Sequence, residues 1–112
     1  MLGSRYRELS EQTPDGQSLV ALINGDIGWL MYQRDSADAG FSSRNASYSG
    51  APDAVIEYYL SNGQRDEYPA SWALPLTDMC RALAFFRENA KPPPFIAWHN
   101  DSEDGVSIGL AA

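Results

Sequence analysis

The side chains of this chain that could do chemistry are few: one histidine (His99), one cysteine (Cys80) and fifteen carboxylates. Hydrolysis or group transfer needs a nucleophile beside a base, paired carboxylates in a cleft, or a metal. His99 merely follows the apolar run Phe95-Ile96-Ala97-Trp98. Cys80 stands four positions from Leu76 and three from Leu83 in a helical pattern. That spacing turns it toward the core as a small hydrophobe, and nothing local would activate a thiolate. The zinc spacings Cys-x-x-Cys, His-x-His and His-Glu-x-x-His are absent. Asp101, Glu103 and Asp104 with Gly105 lack the ligand spacing and closing Glu of a calcium loop. Gly25, Gly28, Gly40, Gly50 and Gly63 are scattered across turns and make no phosphate cradle. No catalytic residue, no metal site and no cofactor is expected, and the chain reads as a non-enzyme.

What remains is a surface. The net charge is -7, with eight basic residues against fifteen acidic ones. Such a surface repels phosphate backbones, which argues against direct nucleic-acid binding. It would instead attract a basic protein partner and speed the encounter, or simply keep the protein soluble. Apolar anchors beside charge-selective neighbours are what a protein-binding patch needs. Asp35 and Asp38, with Phe41, Arg44 and Tyr48 nearby, and Glu57, Tyr59, Asp66 and Tyr68 further on are the candidates. Strand alternation puts Glu57 and Tyr59 on one side, and the pairing register decides whether Asp66 and Tyr68 join them.

These residues need elements to hold them. Tyr6-Arg7-Glu8-Leu9 alternates as a weak edge strand, and Thr13-Pro14-Asp15-Gly16 carries turn chemistry. Ser18–Ile23 and Ile27–Tyr32 flank Asn24-Gly25, a strong hairpin signal. A two-residue turn at Asn24-Gly25 would set Leu22 opposite Ile27 and Val20 opposite Trp29. One face then carries Val20, Leu22, Ile27, Trp29 and Met31, the other Leu19, Ala21, Ile23 and Leu30. Apolar residues on both faces require cover on both. The polar stretch from Gln33 to Asp53 contains a short strand near Ala39–Ser43. Ala54–Leu60 and Arg65–Tyr68 form a second hairpin across Asn62-Gly63, with Pro69 expected to end its pairing or lie at an edge.

A helix is predicted over Leu76–Asn89, with Leu76, Met79, Leu83 and Phe86 as its apolar stripe and Ala82 and Ala90 extending it. Asp78 suits the positive end of its dipole. Lys91-Pro92-Pro93-Pro94 stops it, and Phe95–His99 returns as a final strand. The fold class is α+β: a mainly antiparallel sheet built from hairpins, one helix in the C-terminal half on one face, and a strand after it. The expectation is a single domain over 1–112, with 1–4 and the acidic 101–112 as mobile ends. No apolar run is long enough for a bilayer, the amino terminus shows no signal-peptide pattern, and one cysteine cannot make an internal disulfide. A cytoplasmic protein fits.

Gly28-Trp29-Leu30-Met31-Tyr32 after the turn, Leu74-Pro75-Leu76 opening the helix, Ala82-Leu83-Ala84-Phe85-Phe86 within it, and Pro93-Pro94-Phe95-Ile96-Ala97-Trp98 beyond it occur in an order similar to immunity protein family 1 of bacterial polymorphic-toxin systems. The match covers roughly Leu19 to Trp98. The resemblance implies an α+β immunity protein that binds and blocks a cognate toxin domain, often a nucleic-acid-targeting enzyme such as a deaminase, encoded next to it. The quoted residues look like fold-keeping positions, so no binding residue is carried over. Members of the family usually have a longer amino-terminal region with a helix. Its absence would leave one sheet face for another segment, or a partner, to cover. A small regulatory or ligand-binding module is the alternative function. The terminal Leu110-Ala111-Ala112 also resembles a degradation tag.

Overall fold

The structure, a computed structural model, describes residues 5–102. Its elements run β1 (Tyr6–Gln12), β2 (Ser18–Asn24), β3 (Ile27–Gln33), β4 (Phe41–Arg44), β5 (Val55–Tyr59), β6 (Arg65–Pro69), a 3₁₀ turn (Ala70–Trp72), β7 (Leu74–Pro75), α1 (Leu76–Asn89) and β8 (Ala97–Asn100). The main sheet has the order β1-β2-β3-β4-β8, every pair antiparallel, with β7 also paired to β3. Strands β5 and β6 form a separate hairpin. This is the expected α+β architecture, with α1 in the C-terminal half and β8 after it.

The central hairpin is apolar on both faces, and each face is covered by a different element. Leu19, Ala21, Ile23, Leu30 and Tyr32 pack against Met79, Ala82, Leu83 and Phe86 of α1. Val20, Leu22, Trp29 and Met31 pack against Ile56, Tyr58, Tyr68 and Trp72 of the β5–β6 hairpin and its 3₁₀ turn. Both covers come from the chain itself, so neither face is left to a partner. Fully burying each such large side chain is worth about 1.5–3 kcal/mol, and neither layer is optional.

The register differs from the expected one by a two-residue slip. Leu22 faces Trp29, Val20 faces Met31 and Asn24 faces Ile27, so the loop residues are Gly25 and Asp26. Gly25 has φ +67, which suits the first central position of a glycine-led hairpin turn. Because side chains alternate with period two, a slip of two leaves both face assignments intact.

Other expectations need correction. Cys80 is exposed, since the buried stripe of α1 is Met79, Ala82, Leu83 and Phe86 and position 80 turns away from it. Ala90 does not extend that stripe: it caps the helix in the left-handed region at φ 54, its N–H bonded to the Phe86 carbonyl. The final strand begins at Ala97, after Phe95 and Ile96 have turned the chain out of the prolines. Asp101, expected in a mobile tail, is fastened: its N–H donates to the Gly40 carbonyl at 2.9 Å and its Oδ1 accepts from the Ser42 hydroxyl. The remaining expected ends, 1–4 and 103–112 with the tag-like Leu110-Ala111-Ala112, lie outside the described residues.

At Gly28 the Met79 side chain of the helix comes close to the sheet backbone. A Cβ built there would collide with Met79 Cε and with the Leu22 carbonyl oxygen. The methionine end can move but the backbone oxygen cannot without shifting the hairpin. Gly28→Ala is expected to lower unfolding free energy by about 1–3 kcal/mol, the usual cost of overpacking, measured by urea denaturation. A stability equal to wild type would show that α1 does not sit so tightly on β3.

Candidate functional site

The polar stretch between β3 and β4 is organised by one ion pair. Arg34 donates from Nε to Asp38 Oδ2 at 2.8 Å and from Nη2 to Oδ1 at 2.9 Å, and its backbone N–H also reaches Oδ2. The Asp38 side chain is only 4% exposed, covered by Arg34 rather than sunk in the core. The side-chain hydrogen bond from Arg34 holds the Asp38 carboxyl well below the usual aspartate range, against the opposing effect of burial. Asp35 stays exposed and accepts from the Ala37 N–H at 2.8 Å.

That pair sets Arg34 over the Phe41 ring, 5.0 Å from its centroid. Phe41 stands opposite Tyr32 across β3 and β4, with ring centroids 6.0 Å apart. Trp98 of β8 lies 6.3 Å from Tyr32. Tyr32, Arg34, Phe41, Pro92 and Trp98 line a cleft of ≈260 Å³ at this end of the sheet. Its walls are tied down from behind. The Tyr32 hydroxyl donates to Gln17 Oε1 at 2.7 Å, Gln17 Nε2 donates to the Ala90 carbonyl, and the Trp98 indole N–H donates to the Pro93 carbonyl. Burial raises the Tyr32 pKa, with Arg34 opposing and Asp15 and Asp38 adding to the rise.

A second constellation lies on the opposite face of β4 and β8. Arg44 sits over Trp72 at 3.8 Å from the ring centroid. Trp72 belongs to a stack in which Tyr68 lies 4.2 Å from Trp29, nearly parallel. Burial, then the charge of Asp66, pushes the Tyr68 phenol up to about 12. Beside the stack, Arg44 Nη1 donates to Ser42 Oγ, Ser42 Oγ donates to Asp101 Oδ1, both at 2.9 Å, and His99 Nε2 lies 4.0 Å from that carboxylate oxygen. The residue types are those of a Ser-His-Asp triad, but the connectivity is not. In a triad the imidazole takes the hydroxyl proton and the carboxylate orients the imidazole. Here the hydroxyl proton goes to the carboxylate, and Ser42 is 1% exposed. The arrangement fastens β8 to β4. Among the described residues no group of His, Cys, Asp and Glu could hold a metal ion.

The remaining candidates stand elsewhere. Glu57 and Glu67 are directly opposed across the outer hairpin, and Arg65 bridges both, at 2.8 and 2.6 Å. Hydrogen bonds from Arg65 and then Tyr6 lower the Glu57 pKa. Tyr59 meets Tyr6 edge to face at 4.7 Å. The register pairs Ile56 with Tyr68 and Tyr58 with Asp66, which puts Asp66 and Tyr68 on the inner face, away from Glu57 and Tyr59. Tyr48 lies on the loop after β4, its hydroxyl donating to the Ala51 carbonyl at 2.7 Å.

The nine sequence candidates therefore fall into three groups, with Tyr48 apart from all of them: Phe41 in the cleft wall with Asp35 and Asp38 around its neighbour Arg34; Arg44, Asp66 and Tyr68 at the stack; Glu57 and Tyr59 on the outer hairpin. Sequence reasoning missed Tyr32, Arg34, Pro92 and Trp98 as neighbours of Phe41. Tyr32 and Trp98 carry a strand signal and Pro92 a helix stop, and only the pairing of β3, β4 and β8 gathers them.

The family model for immunity protein Imm1 matches residues 4–100, nearly the whole described fold and every residue of the three groups. The chain belongs to the Imm1 family of immunity proteins. No individual curated protein matches it. Membership in Imm1 assigns an immunity role, and with it a toxin as partner. No helix of the described residues is long and apolar enough to cross a membrane.

The Arg34–Asp38 pair that closes the cleft has a pH signature. Asp38 has a lowered pKa in the folded state, so the pair stabilises the fold at neutral pH. That contribution drains away as pH falls below about 4, the ordinary aspartate pKa, toward the lowered folded value. Asp38→Asn is expected to melt below wild type at pH 7, with the gap narrowing as pH approaches about 3. A gap independent of pH would show that the pair contributes through shape alone.

Proposed function

We propose that this Imm1 protein neutralises its toxin stoichiometrically and without catalysis, by covering the toxin's active or substrate site. The toxin is a basic, nucleic-acid-targeting enzyme, a deaminase or nuclease, encoded beside it, and the encounter takes place in the cytoplasm. The observation that carries this reading is the family match over residues 4–100. Charge supports it. The chain has net charge -7, and of its cations Arg34, Arg65, Arg81 and Arg87 are already paired with carboxylates of the same chain. An enzyme that grips nucleic acid carries a basic rim, and an acidic protein is steered to that rim. Asp35, Asp38, Phe41, Arg44, Tyr48, Glu57, Tyr59, Asp66 and Tyr68 are the proposed contact set, with those at the cleft foremost because they flank an apolar recess.

The test is co-expression with the toxin domain of the adjacent reading frame. The chain should rescue growth, co-elute with that domain as one complex, and lose about tenfold or more in association rate between low and high salt. Survival of the toxin's activity in the presence of excess purified chain would sink the proposal.

A further inference from the structure

The cleft differs from a metabolite pocket in two respects. At ≈260 Å³ it falls below the roughly 300–1,000 Å³ of small-molecule sites. The polar ends of its walls are also already used: Tyr32 by Gln17, Trp98 by Pro93, Arg34 by Asp38. It therefore offers planar apolar surface, three aromatic rings and the flat guanidinium of a neutralised Arg34, with nothing to grip a ligand's polar atoms. Its size and chemistry suit one aromatic side chain delivered from a larger body, stacking or meeting the rings edge to face. Because the walls are held in place beforehand, little ordering accompanies its entry.

What would deliver that side chain is set by the neighbouring strand. Among the described residues β8 ends the sheet order and pairs on one side only, with β4. Trp98, a wall of the cleft, is a β8 residue. An open sheet edge beside a side-chain pocket is the arrangement by which sheets recruit extended segments: the main chain adds a strand, and the pocket selects a side chain. Charge narrows the class further. Asp15 acts on the Tyr32 hydroxyl and Asp35 on the Arg34 guanidinium, both carboxylates belong to exposed residues, and Arg34 is already matched by Asp38.

We propose that the outer edge of β8 and the Tyr32–Phe41–Trp98 cleft together dock an extended, basic segment of the toxin, which adds a strand to β8 and sets one aromatic side chain into the cleft. The proposal rests on the immunity reading and names the surface and the chemistry through which it acts.

The test uses the full chain, labelled with ¹⁵N, and three synthetic peptides: acetyl-Lys-Thr-Trp-Thr-Lys-amide, its Ala-for-Trp analogue and its Glu-for-Lys analogue. The first peptide should shift the Trp98 indole N–H and the amides of Ala97–Asn100 saturably, in the millimolar range. The two analogues should bind about tenfold more weakly or worse. Shifts elsewhere, or equal binding of the alanine analogue, would overturn the cleft. Shifts of residues 106–110 on addition of the first peptide would show the chain's own C-terminal residues displaced from the site, and would overturn the toxin segment as occupant.

A second measurement separates this proposal from the reading beneath it. Phe41→Leu and Trp98→Phe, each checked for an intact amide spectrum, should weaken the complex with the adjacent toxin domain about tenfold. Wild type and both variants binding equally well would end the docking proposal while leaving the immunity role standing. Failure of wild type to bind would end both.

Discussion

The β2–β3 hairpin carries large apolar side chains on both faces, and water must be kept from both at once. Leu19, Ala21, Ile23 and Leu30 point one way, Leu22 and Trp29 the other. A lone two-stranded hairpin is at best marginally stable in water. Everything else in the fold answers that constraint. The helix seals one face through Met79, Ala82, Leu83 and Phe86, and the β5–β6 hairpin seals the other through Tyr58 and the Tyr68–Trp29–Trp72 stack. Gly28 lacks a side chain where the Met79 side chain and the Leu22 carbonyl leave no room for one, so the helix can pack against the sheet there.

Sealing both faces leaves the sheet's ends and edges as the places where binding can occur. At the β4–β8 end the helix-side layer thins, and Tyr32, Phe41 and Trp98 form the walls of a recess instead of a closed core. Their polar tips are anchored by Gln17, Pro93 and, through Arg34, Asp38. Besides stabilising the fold, the Arg34–Asp38 pair has a geometric use: it holds a planar cation over Phe41. On the outer hairpin, Glu57 faces Glu67 directly, a like-charge opposition that is unfavourable in itself. Arg65 relieves it locally, and the protein keeps its negative excess.

Much of the site's chemistry was legible residue by residue and illegible as a site. Asp38 and Phe41 stood out as a carboxylate near an aromatic in a polar stretch; in the structure Phe41 lines the recess and Asp38 is tied to it only through Arg34. Arg34 sits four positions before Asp38, a spacing that marks a candidate ion pair in hindsight. Trp98 and Pro92 lie more than fifty residues from Phe41, and no local pattern ties them to it. Glu57 and Tyr59 separated from Asp66 and Tyr68 because the hairpin loop holds three residues, Ser61 to Gly63, with Leu60 bonded to Gln64, and that sets which partners share a face. Cys80 misled because its distances to Leu76 and Leu83 fit a helical face, while the buried arc is centred on Met79 and Leu83.

Composition and local pattern alone determined the α+β class, the helix at Leu76–Asn89, both hairpins, and the division of the central hairpin into two apolar faces. These follow from periodicity, from Asn-Gly turns and from prolines, all of which act within a few residues. Face assignment survived even the two-residue slip in register, because alternation has period two. Tertiary structure alone decided what covers each face, and that Tyr32, Arg34, Phe41, Pro92 and Trp98 share a cleft beside β8, which among the described residues pairs with β4 alone. Those outcomes depend on contacts between residues far apart in the chain, whose closure is governed by the packing of whole layers and leaves no trace in local spacing.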